Sequence, residues 1–104
     1  MMTAIIAKTI RIVGETLYIL TLFRNFSITR CDIIKFNIKR IPSFFDEIGI
    51  ELHCDKTYLV TERVSGFLDL AEFLHAEEIF GSSWYSEAEN GRELESVSMH
   101  KPPP

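Results

Sequence analysis

The 104-residue chain is most informative at first in what it lacks. No apolar run approaches the roughly 20 residues that span a bilayer, and the longest, LYILTLF at 17–23, is interrupted by Thr21. The opening MMTAIIAK carries no basic residue ahead of its short apolar stretch and does not read as a signal peptide. Two cysteines, Cys31 and Cys54, are too few for a disulfide framework and are expected as reduced thiols in a core. These absences place the chain in the cytoplasm. The five glycines are scattered and form no phosphate-cradling run. Ser82 and Ser83 lack the strand-turn-helix setting of a nucleophile. The three histidines show no metal-ligand spacing, and His53 and Cys54 point to opposite faces of a regular strand. No metal, no cofactor and no enzymatic activity are therefore expected.

What is present describes one folded domain. Apolar residues make up 46% of the chain and charged residues 25%, the balance of a globular body rather than of disorder. A single domain is expected over 1–97, followed by a flexible Pro-rich tail, HKPPP with its two preceding residues, over 98–104.

Charge is divided along the sequence. Residues 1–44 hold seven basic residues against two acidic ones, a net of +5, and residues 45–104 hold four against thirteen, a net of −9. If the halves occupy different faces, the acidic one repels nucleic acid and draws in a basic partner.

The first half reads as β-structure. TIRIV and TLYILTLF flank Gly14-Glu15, and Gly at the first of two loop positions suits a type II′ hairpin. FSITR alternates at 26–30. In DIIKFNIKR, Ile34, Phe36 and Ile38 share one face and Lys35, Asn37 and Lys39 the other. Pro42-Ser43 ends that run. GIELHC and TYLVTE then form a second hairpin across Asp55-Lys56, with Ile50, Leu52 and Cys54 inward and Glu51 and His53 outward.

The period next lengthens to about 3.6. Phe67, Leu70, Ala71 and Leu74 form a stripe, from which Asp69, Glu72, His75 and Ala76 fall away. Ser65 is the expected N-cap and Gly81 the stop, giving one amphipathic helix over 66–79. WYSEAENG is open between a helical turn and a loop, and Leu94, Val97 and Met99 suggest only a weak closing strand. The fold class is thus α+β: a bent antiparallel sheet or open barrel of five to seven strands, capped by that helix.

This order resembles a pleckstrin-homology-like domain. FRNFSITRCDIIKFNIKR is similar to the hairpin and following strand of bacterial members, and GIELHCDKTYLVTE with GFLDLAEFLH is similar to their last hairpin and capping helix. The likeness covers about 17–76. It implies binding of anionic lipid or peptide, for which Arg24, Arg30, Lys35, Lys39 and Arg40 are the candidates. In overall character the chain also resembles the small, acidic, β-rich immunity proteins of bacterial toxin and immunity pairs, including those of contact-dependent inhibition. That likeness implies a protein partner.

The acidic candidates are Asp69, Glu72, Glu77, Glu78, Glu87 and Glu89, which run along the helix and into the segment holding Trp84 and Tyr85. Aromatic anchors inside a carboxylate rim are the composition of a protein interface. The leading expectation is a protein-binding module, in its sharpest form an immunity protein covering the basic active site of a cognate nuclease-type toxin. Neither nucleic acid nor a membrane is an expected partner on the leading reading. Trp84 is expected to pack inward on Phe73 or Phe80, leaving Tyr85 exposed.

Overall fold

In the computed structural model, which describes residues 4–42 and 46–96, the chain builds eight strands in two sheets and three short helices. Strands β2 (Thr9–Val13) and β3 (Thr16–Leu20) pair antiparallel from Thr9 opposite Leu20 to Val13 opposite Thr16. The turn between them has its one positive φ, +60°, at Gly14, so the expected type II′ geometry holds. Strand β4 (Asn25–Thr29) pairs with β3 to complete a three-stranded sheet whose Leu17, Ile19 and Ile28 face the core.

The second sheet is five-stranded. Its order is β1 (Ile5–Ile6), β7 (Thr57–Thr61), β6 (Glu47–His53), β5 (Lys35–Ile41) and β8 (Leu94–Glu95). Every pairing in it is antiparallel except β1 on β7. Phe36, Ile38, Ile48, Ile50, Leu52 and Val60 form its inner face, all essentially without solvent contact. Burial of side chains this size contributes roughly 1.5–3 kcal/mol each, which makes this layer the main source of stability.

The sheets meet where one residue hands the chain to the next. The Ala7 N–H donates to the Leu59 carbonyl at 2.9 Å, and the Lys8 N–H donates to the Leu20 carbonyl at 2.8 Å. Adjacent peptide units thus belong to different sheets, and the bend lies between them. A second crossing runs through a 3₁₀ turn at Arg30–Asp32, held by the Asp32 carboxylate accepting from the Thr29 N–H at 3.1 Å and hydroxyl at 2.9 Å. Ile33, which follows, is fully buried. The sheets are not closed into a barrel.

Three side chains depart from the expected alternation. Cys31 is exposed rather than buried, because it rides on the 3₁₀ turn while Ile33 takes the core position. Ile34 precedes β5 and is exposed, although its N–H still bonds to the His53 carbonyl at 2.8 Å. Asn37 is on the outer face with Lys35 and Lys39 but is covered, its Nδ2 lying 3.4 Å from His53 Nε2.

The helical region differs most. The stripe of Phe67, Leu70, Ala71 and Leu74 is buried as expected, but helix α1 ends at Phe73 (Phe67–Phe73) and α2 (Ala76–Phe80) restarts beyond it. His75 separates them in the left-handed region, φ 58° and ψ 39°. A continuous helix would carry Glu78 onto the buried stripe and turn Ala76 and Phe80 to solvent. The break reverses this: Ala76 is fully buried and Phe80 packs edge-on against Phe36, centroids 5.6 Å apart. Ser65 is not the cap. Gly66 occupies that place at φ 95°, and a Cβ there would come within 3.2 Å of Ile10 Cγ1. The helix start is therefore pressed directly onto β2.

Gly81 terminates α2 at φ 96°. WYSEAENG resolves as helix α3 (Trp84–Glu89), which buries Trp84 and Ala88 one turn apart. Of the closing strand, Leu94 and Glu95 pair with Ile38 and Asn37 of β5. The positions of Val97 and Met99 and the expected tail at 98–104 lie outside the described residues. No helix among the described residues is long and apolar enough to cross a membrane.

Candidate protein-binding groove

A groove of about 1330 Å³ runs between the middle of β2 and the helices α1 and α2. One wall carries Ile10, Arg11, Ile12 and Arg30; the other carries Leu68, Asp69, Glu72, His75, Glu77 and Glu78, with Phe73, Ala76 and Trp84 at its base. The walls differ in charge because β2 belongs to the basic half of the sequence and the helices to the acidic half. Arg30 is fixed in place: its guanidinium lies 4.2 Å from the Phe73 ring centroid and its Nε donates to Glu15 at 2.6 Å.

The carboxylates of the helical wall are largely uncompensated. Among the described residues, Asp69, Glu72 and Glu77 have no Lys or Arg within ion-pair distance, and Glu78 meets only the His75 imidazole at 3.4 Å. Leu68 stands among them in solvent at 67% exposure, and Ile79, next to Glu78 on α2 but outside the groove lining, is 44% exposed. Exposed leucine and isoleucine beside a carboxylate rim can bury apolar area against a partner while the rim attracts its cations.

The acidic candidates do not form one surface. Asp69, Glu72, Glu77, Glu78 and Trp84 share the groove, but Tyr85, Glu87 and Glu89 do not line it. Glu87 is half-buried and held by Arg92, with the Ser83 hydroxyl 3.4 Å away. Glu89 is exposed on the flank that holds Tyr85 and Arg40, both of which feel its charge.

The aromatic pair is structural in its geometry. Trp84 packs against Phe67, centroids 6.4 Å apart, rather than against Phe73 or Phe80 as expected. Tyr85 is half-buried instead of free, and its hydroxyl donates to the Glu62 carboxylate. That hydrogen bond, followed by burial and the Glu62 charge, pushes the Tyr85 phenol up to about 12.

The basic candidates are dispersed and mostly occupied. Arg30 is committed to Glu15, Lys39 lies 3.5 Å from Glu51 and 3.7 Å from Glu93, and Arg40 pairs with Asp46. That pair holds the Asp46 carboxyl below its usual range through the Arg40 hydrogen bond. Lys35 and Arg40 stand five residues apart on β5, roughly 17 Å at the rise of a strand. Arg24 lies at the opposite end of the first sheet, beside the Phe26 ring.

Among the described residues, His53 and His75 are not brought together. His53, on the outer face of β6, has Nε2 2.9 Å from Glu51 Oε1, whereas His75 is on the groove rim. Among the described residues no group of three or more His, Cys, Asp or Glu is close enough to hold a metal ion.

Sequence reasoning missed Leu68 and Arg11, which line the groove, and the exposed Ile79. Leu68 carried a signal: it falls off the Phe67, Leu70, Ala71, Leu74 stripe, so an apolar residue there was bound for solvent. Arg11 carried none, since pairing of β2 with α1 is a tertiary fact. Comparison with protein-family models, curated protein sequences and solved structures finds no match to this chain.

Proposed function

We propose that this chain is a non-enzymatic protein-binding module that receives a basic segment of a partner protein in the groove between β2 and α1–α2. In its sharpest form the partner is a nuclease-type toxin in the same cytoplasm, and the chain is the immunity protein that covers its phosphate-binding cleft. One observation carries the reading: four carboxylates that have no Lys or Arg partner among the described residues line a single groove with the exposed Leu68, and the exposed Ile79 follows Glu78 just outside it. A nuclease cleft is rich in Lys and Arg, so such a wall matches it in charge, and the two apolar side chains supply the desolvated contact that charge alone does not. The alternative, anionic-lipid binding through Arg24, Arg30, Lys35, Lys39 and Arg40, has less support because three of the five already hold carboxylates.

The test is co-expression and pull-down with the product of the adjacent upstream gene, followed by association kinetics. Glu77→Lys with Glu78→Lys is expected to slow association roughly tenfold with the fold unchanged. Leu68→Ser is expected to speed dissociation by about the same factor while leaving the thermal midpoint within a degree or two. Absence of any complex, or full protection from toxicity by both variants, removes the groove from the mechanism.

A further inference from the structure

Among the described residues, the most exposed apolar side chains lie elsewhere, at the turn between β3 and β4. Phe23 is 92% exposed and Leu22 70%. The turn that presents them is internally locked. Thr21 donates its N–H to the Arg24 carbonyl at 2.9 Å, donates its hydroxyl to the same carbonyl at 2.9 Å, and accepts the Arg24 N–H on Oγ1 at 3.1 Å. Such a turn holds two large side chains in water without their collapsing onto the sheet.

Cations lie close behind the tip, about Phe26. The Arg24 guanidinium lies 5.7 Å and the Lys56 ammonium 5.2 Å from the centroid of one ring, Phe26. Lys8 is exposed beside the same end of the hairpin, its N–H bonded to the Leu20 carbonyl. The adjacent acid is Asp55, whose carboxylate turns back to accept the Lys56 N–H at 2.9 Å. Arg24, Lys56 and Lys8 thus gather at this end of a protein whose net charge is −4.

The geometry points to the Leu22-Phe23 tip as a docking element for an anionic bilayer surface. Two side chains offer less than roughly 400 Å², well short of the ~1,000 Å² that a specific protein interface needs. The same two side chains suit the boundary between headgroups and acyl chains, where Phe and Leu insert while Lys and Arg stay among anionic headgroups. The locked turn means that little ordering is required on insertion. None of the groove residues takes part.

Sedimentation with vesicles of phosphatidylcholine containing phosphatidylserine, compared with phosphatidylcholine alone, tests this on the full chain. Binding is expected to the serine-containing vesicles and to weaken as salt rises. Leu22→Ser with Phe23→Ser is expected to lower the partition coefficient at least about tenfold, and Arg24→Glu with Lys56→Glu to abolish the preference for anionic lipid. Phe23→Trp gives a second readout, an emission blue shift and quenching by brominated lipid on binding. The double serine variant should melt as the parent does, since both side chains are outside the core. Failure of the parent chain to bind, equal binding to neutral vesicles, or unchanged binding by the double serine variant overturns the assignment. So does loss of a protein partner by that variant with vesicle binding intact.

Discussion

The Tyr85 hydroxyl and the Ile48 backbone N–H meet on one side chain: Glu62 accepts the first on Oε2 and the second on Oε1, the latter at 2.8 Å. Helix α3 is thereby tied to the edge of β6 through a residue just beyond β7. The part of the chain with the composition of an interface anchor is thus a clasp that closes the fold.

Removing the clasp should cost stability rather than binding. Tyr85→Phe is expected to lower the unfolding free energy by about 1–2 kcal/mol, since it leaves the half-buried Glu62 with an unmade charge-assisted bond. Urea denaturation checks this, and an unchanged midpoint would mean that α3 is held by Trp84 and Ala88 alone. The pH dependence has a definite sign. Folding raises the Tyr85 phenol from 10.0 to about 12, so its contribution is complete below about pH 10 and is lost as pH rises through 12. Phenolate absorbance should show two tyrosines titrating above the ordinary range, Tyr85 and Tyr58, the latter raised by burial first, and Tyr85→Phe should remove one of them.

His75→Gly should be neutral or stabilising by up to about 1 kcal/mol. The left-handed conformation between α1 and α2 costs a residue with a Cβ roughly 1–2 kcal/mol, partly offset by the greater unfolded-state freedom of glycine. The control is His75→Val, whose β-branched side chain tolerates this region poorly and should destabilise. Thermal melting of both variants reads the difference.

The two thiols should part kinetically. Cys31 is exposed, whereas Cys54 is half-buried and its thiol is pushed up to about 11, by burial first and then by Asp55 and Asp32. In native buffer near pH 8 one equivalent of a maleimide or disulfide reagent should react quickly and the second roughly a hundredfold more slowly. Mass mapping should place the fast adduct on Cys31. Equal rates would show that β6 opens at its Cys54 end.

The strands were legible because their inward residues repeat every second position and their turns carry local signals such as Gly14. Helical existence over 66–79 was legible from the stripe, but its interruption was not. The reason lies in Glu78, Ala76 and Phe80, whose burial preferences conflict with a straight helix only once the core has a location. The groove was half legible: Asp69, Glu72, Glu77 and Glu78 were named, while Arg11 and Arg30 join them only through the packing of α1 on β2. Tyr85 was misread because an aromatic beside carboxylates looks the same in sequence whether one of those carboxylates, or a distant Glu62, receives its hydroxyl.

Ile5 pairs with Tyr58 and Ile6 with Leu59, in parallel, across more than fifty residues of chain. On a ribosome the two isoleucines emerge long before β7 and must wait for it, while the β2–β3–β4 hairpins need only near neighbours and can form at once. Ala7 and Lys8 therefore mark a boundary in time as well as in space. The first sheet can assemble as it is synthesised, and the opening strand locks onto the second only after the latter's own hairpin is made.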